Sequence, residues 1–77
     1  MTKKKGTLQY DRESDRFDIH FDDGKYYGGL RCGECLDVRL NEVWVPTRIE
    51  MSEDWYLVGL PELRLEGLTV QIGCYYE

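Results

Sequence analysis

Cys32-Gly33-Glu34-Cys35 is the stretch of this chain whose residue types and spacing could do chemistry. Two thiols separated by two residues can reach one tetrahedral zinc ion from a knuckle-like turn. Cys74 and His20 would complete a Cys₃His set. A second knuckle is absent, because Cys74 stands near the chain end and His20 within an alternating, strand-like run. A redox role would need a helix N-terminus to lower the thiol pKa, and no helical period flanks the motif. The expectation is therefore small, reduced thiols in a tight turn and no cofactor. Zinc on Cys32, Cys35, Cys74 and His20 is the alternative.

The acidic run Asp11-x-Glu13-x-Asp15 opens like a calcium loop. Such a loop needs Gly at its sixth position and Glu at its twelfth, where this chain has Arg16 and Asp22. The run reads instead as a solvated turn whose side chains bond their own backbone. His20 has no nucleophile motif beside it, and nothing resembles a nucleophile elbow or a phosphate-binding loop. The chain is read as non-catalytic.

Aromatic residues offer a different chemistry. Trp44 lies opposite the apolar face of its segment, while Tyr26-Tyr27 and Trp55-Tyr56 occupy both faces of theirs. Some of these rings must therefore reach the surface. Beside Pro46 and Arg48, exposed Trp and Tyr side chains can line a shallow groove for an extended peptide. The expected binding residues are Trp44, Trp55, Tyr26, Tyr27, Pro46 and Arg48.

Short strands must position these residues. Seventy-seven residues make one domain near the lower size limit for independent folding. A composition that is 42% hydrophobic supports a compact core. Period-two alternation marks Arg16–Phe21, Cys35–Leu40 and Val43–Met51 as strands. Further strands are expected at Thr7–Tyr10, Lys25–Tyr27, Trp55–Leu60, Leu63–Leu65 and Leu68–Ile72. Asp23-Gly24 and Asn41-Glu42 are turn signals between them. Connections this short force antiparallel neighbours. Pro46 cannot donate to a ladder, so its strand needs an edge or a solvent-facing gap there.

The expected fold is thus all-β, a small antiparallel barrel of five to seven short strands, closed or half open. Residues 1–5 are expected to form a flexible basic tail and residues 6–77 the single domain. Leu8, Phe17, Ile19, Leu36, Val38, Val45, Ile49, Leu57, Val70 and Ile72 are the expected core.

Charge narrows the partners. The net charge is −5, and without the Lys3-Lys4-Lys5 tripeptide the span from Gly6 onward carries −8. Phosphate contacts want Lys or Arg, so nucleic acid is disfavoured unless arginines cluster. Arg31, Arg39, Arg48 and Arg64 are the residues such a cluster would use, and acidic mimicry of DNA is the other nucleic-acid-related alternative. The first expectation is a non-catalytic module that binds another protein, with basic partners favoured. A monomer is expected, although Leu68–Ile72 would invite strand pairing if it lay at an edge. No apolar run approaches the ~20 residues of a membrane span, and no signal-peptide core follows the lysines. A cytoplasmic location follows.

Several segments taken together resemble a known family. They are Gly6-Thr-Leu-Gln-Tyr-Asp11, Arg16-Phe-Asp-Ile19, Tyr26-Tyr-Gly-Gly-Leu-Arg-Cys-Gly-Glu-Cys-Leu-Asp-Val38, Trp44-Val-Pro-Thr-Arg-Ile-Glu50 and Asp54-Trp-Tyr-Leu-Val-Gly59. The chain resembles domain-of-unknown-function family 5348 from Gly6 to Ile72. That resemblance implies a free-standing single-domain protein of Gram-positive bacteria, with no assigned activity and no catalytic residues to carry over. Separately, the run from Trp44 to Ile49 resembles the Trp-led strand of SH3-like barrels. This second likeness bears on fold, not on function.

Overall fold

Six strands form the protein in a computed structural model that describes residues 3–73. They are β1 (Lys3–Asp11), β2 (Arg16–Phe21), β3 (Cys35–Leu40), β4 (Val43–Met51), β5 (Trp55–Leu57) and β6 (Thr69–Gly73). All pairings are antiparallel, and the strand order is β2-β1-β6-β3-β4-β5. The all-β expectation holds in that form. The sheet does not close, because no ladder joins β2 to β5. The closed version of the expected barrel is therefore corrected to an open sheet.

Alternation does the positioning. Leu8 faces Ile19 across β1 and β2, and Val38 faces Val70 across β3 and β6. Ile49 faces Leu57 across β4 and β5. All six side chains are fully buried. Phe21, Leu30, Leu36 and Leu65 complete the buried set. Phe17, Val45 and Ile72, expected in the core, pack against it half-buried. Leu30 and Leu65 lie outside every strand. Gly6 marks a close approach of β1 to β2: a Cβ there would stand 2.5 Å from the His20 carbonyl oxygen and 2.8 Å from Phe21 Cα.

Several expectations need correction. Lys3–Lys5 is strand rather than tail, pairing with Gly73, Ile72 and Gln71. Lys3 Nζ donates to Asp37 Oδ2 at 2.8 Å, which ties the start of β1 to β3. Lys25–Tyr27 forms only a single bridge, His20 to Tyr26. The Asp18 carboxylate diverts the next residues: its Oδ1 accepts from the Gly28 and Gly29 amides at 2.9 and 2.8 Å. Trp55–Leu60 is strand only to Leu57, where a turn through Gly59 (φ 83°) reverses the chain. Leu63–Leu65 is not strand. β6 is central, between β1 and β3. The edge that would have invited a second copy is therefore not there.

Pro46 sits in the gap its chemistry requires. Its Cα partner on β3 is Asp37. Two residues on, the Arg48 carbonyl accepts from the Val58 amide at 2.9 Å, so Pro46 nitrogen faces that same flank. The β5 ladder runs only from Ile49 to Met51, and Pro46 lies beyond its end.

Candidate functional site

The two outer strands are treated differently, and a groove results at one of them. Along β2, the segment after the Asp23-Gly24 turn runs back beside the strand. Phe21 N–H donates to Lys25, Tyr27 N–H to Ile19 and Leu30 N–H to Phe17, at 2.8, 3.0 and 2.8 Å. The same segment then crosses to β4, where Gly33 N–H donates to Ile49 and Ile49 N–H to Glu34. Along β5, coverage stops after one bridge, Leu57 to Leu60. A second turn follows at once, with Leu63 N–H donating to Leu60 at 3.2 Å. Pro61 occupies the position where its fixed φ suits that turn.

These two consecutive turns leave an open groove of about 610 Å³ beside β5. Its walls include Phe17, Trp55, Tyr56, Pro61, Leu63 and Arg64. Phe17, Trp55 and Leu63 are half-buried and packed on the core, so the floor is anchored. Ser52, Glu53 and Asp54 of the β4–β5 turn form one side. Trp55 Nε1 donates to the Asp15 carbonyl at 3.2 Å, which fastens that turn to the β1–β2 turn. Glu66 Oε1 accepts from the Tyr10 amide at 2.8 Å, fastening the third segment.

Charge collects around this groove. The β1–β2 turn brings Asp11, Glu13 and Asp15, the β4–β5 turn Glu53 and Asp54, and the following loop Glu62 and Glu66. Arg12, Arg16 and Arg64 oppose them. This end is therefore acidic, with seven carboxylates against three arginines. The field is felt by Tyr10, whose hydroxyl donates to Asp15 and packs its ring edge-on against Phe17 at 5.3 Å. Its pKa is raised, first by that hydrogen bond and then by desolvation and the Asp15 and Asp54 charges.

The six expected binding residues fall in three places. Trp55 lies in the groove. Trp44, Pro46 and Arg48 lie on the opposite face of the sheet, where the Arg39 guanidinium sits 5.2 Å from the Trp44 ring centre. Arg48 is paired with Glu50 at 2.7 Å. Tyr26 and Tyr27 belong to the segment covering β2. Tyr26, 60% exposed, stacks on His20 at 4.7 Å, while Tyr27 packs edge-on against Phe21 and donates to Glu34 at 3.0 Å. Phe17, Pro61 and Leu63 were missed as site residues, and Arg64 was expected only in the nucleic-acid alternative. The available signal was the Pro61-Glu62 interruption directly after an aromatic strand.

The arginines expected to form a stripe are also separated. Arg64 is at the groove, Arg31 in the covering segment, and Arg39 and Arg48 on the outer face. Cys32 and Cys35 are exposed and free. Among the described residues no three His, Cys, Asp or Glu side chains gather to hold a metal, so His20 does not join the two thiols. Cys74 lies outside the described residues.

No curated protein matches this chain. A crystal structure of a protein from Ruminococcus gnavus, a Northeast Structural Genomics Consortium target, is similar to it, with 60% identity and a TM-score of 0.82. The match covers 88% of this chain and 99% of that one. The family model described as "Domain of unknown function (DUF5348)" matches residues 6–72, and the chain belongs to that family.

Proposed function

We propose that this protein is a non-catalytic, protein-binding module of a bacterial cell, and that its partner lies in the groove over Trp55. The observation carrying this reading is an anchored apolar floor held open between three cross-tied turns. In this reading the curled sheet works as an SH3-like half-barrel, with the Lys25–Glu34 segment bonded to both β2 and β4 in place of a closing ladder. The Ruminococcus gnavus relative supports a bacterial source, and the sequence-level cysteine usage supports a cytoplasmic one. The separation of Arg31, Arg39, Arg48 and Arg64 weighs against nucleic acid.

Site-directed photo-crosslinking tests the proposal. A crosslinker replacing Arg64 is expected to capture a protein from lysate of the native cell. The same group at Val43, exposed at the start of β4, is expected to capture none. Equal capture at both positions, or none at Arg64, would overturn the reading. A gel shift whose affinity falls steeply with salt would move the assignment to nucleic acid.

A further inference from the structure

Taking the groove as the docking site, we propose that its occupant is an extended segment of another protein in which an apolar side chain stands between Lys or Arg residues. The floor sets the first requirement. Phe17, Trp55 and Leu63 offer apolar surface that is already immobilised on the core, so an incoming aliphatic or aromatic side chain can be buried with little ordering cost. A rigid aromatic floor of this kind is where binding energy concentrates.

The rim sets the second requirement. On the turns and loop around this groove, seven carboxylates stand against three arginines. Glu53 and Glu62 are exposed on the β4–β5 turn and the loop after β5. Cations flanking the anchor would meet Glu53 and Asp54 on the groove's wall and Glu62 on the adjoining loop. Acidic or phosphorylated segments would meet repulsion, with Arg64 the one cation among the residues lining the groove. The groove is open between turns rather than enclosed, so a chain can lie across it.

A second copy of this chain is a poorer fit. Its own lysine run lies at the start of β1, where Lys3 is held by Asp37 and Lys4 by Asp23 at 3.2 Å. Lys4 also lies 4.5 Å over the Phe21 ring.

The test is a titration of the full, isotope-labelled chain with three short synthetic peptides, each with a central leucine flanked by arginine, glutamine or glutamate. Amide shifts should appear at Phe17, Trp55, Leu63 and Arg64 with the arginine peptide, weaken steeply with salt, and vanish with the glutamate one. Glu53→Lys together with Glu62→Lys, both at exposed positions, should weaken binding about tenfold while leaving the spectrum folded. Equal affinity for the arginine and glutamine peptides would overturn the charge requirement and leave the groove's binding role standing. Unchanged spectra with all three peptides would overturn both. Concentration-dependent shifts at the same residues without peptide, relieved by Lys5→Glu, would overturn the heterologous partner in favour of a second copy.

Discussion

The two outer strands of this sheet pose the same physical problem and solve it in opposite ways. An edge strand carries a row of unpaired amides and carbonyls that invites another chain. On the β2 side the protein supplies that chain itself. The Lys25–Leu30 segment bonds to Phe17, Ile19 and Phe21, and Leu30 closes the segment as a fully buried side chain. On the β5 side the chain bridges once at Leu60 and turns away at Pro61, leaving Trp55 and Tyr56 beside open space. One edge is made part of the core, and the other is kept short and flanked by charge. A small sheet can therefore present a groove without exposing a long, sticky edge.

The sharpest way to break this comparison is to remove an apolar side chain from each side. Leu30→Ala should cost about 3 kcal/mol, because a fully buried leucine leaves a cavity in a core this small. Leu63→Ala should cost about 1 kcal/mol, since that side chain is only half-buried and faces the groove. Urea unfolding of both variants measures the difference. Equal losses would mean the β5 side is as much core as the β2 side, and the contrast would fall.

The covering segment depends on one carboxylate, which gives the next test. Asp18 Oδ1 accepts from Ile19, Gly28 and Gly29 amides, all within 2.9 Å. Asp18→Ala leaves those donors without their acceptor and should cost about 2 kcal/mol. Hydrogen exchange should accelerate at Gly28 through Leu30 while the amides around Trp55 stay unchanged. Acceleration spread evenly over the sheet would show that the β2 cover is not a separate unit.

These same elements show what alternation can and cannot reveal. Arg16–Phe21, Cys35–Leu40 and Val43–Met51 are legible to the residue, because each repeats apolar side chains with period two over at least six positions. Leu30 and Leu65 are buried without belonging to any strand, so no period announces them. Lys25–Tyr27 has strand-like residues, but whether it extends depends on Asp18, seven or more residues earlier. Lys3–Lys5 looks like a solvated tail until Asp37, far along the chain, provides a carboxylate for Lys3. The groove was the least legible part. Trp55 was visible as a surface aromatic, yet its pairing with Asp15, forty residues away, decides that it and not Trp44 lines a cavity. Period-two patterns assign faces of a sheet; they carry no information about which turns meet at its end.

Acid should strike both edges together, since the responsible group lies between them. Asp37 is 9% exposed on the outer face, and Lys3 and Gln71 donate to its Oδ2 at 2.8 and 3.0 Å. Burial alone would raise its pKa, but the two hydrogen bonds and the Lys3 charge outweigh it, and the folded value lies below the usual 3.8. With the folded pKa depressed, the unfolded chain takes up the proton first as pH falls. The contribution is complete above the unfolded value and is lost on descending through the folded one. Wild-type protein should therefore lose stability more steeply than Asp37→Asn below about pH 4. Parallel urea midpoints across that range check the slope. Coincident slopes would remove Asp37 from the account.

The smallest expected effect bears most directly on why one edge stays open. Pro61 sits in the turn from Leu60 to Leu63 that carries the chain away from β5. Its ring restricts the unfolded chain and presets the turn, so Pro61→Ala should cost only about 0.5 kcal/mol. Its structural consequence should be larger than that figure suggests. Once the turn loosens, the residues after Leu60 are free to continue antiparallel to β5, extending the Leu57–Leu60 bridge toward Trp55. New protection of the Trp55 and Glu62 amides in hydrogen exchange, with a shifted Trp55 indole resonance, would mark the groove closing. The β2 side would then have its counterpart, an edge covered by its own chain. If the groove residues keep their wild-type shifts and exchange rates, Pro61 is not what holds the edge open, and the cross-ties from Asp15 to Trp55 and from Tyr10 to Glu66 must be sufficient by themselves.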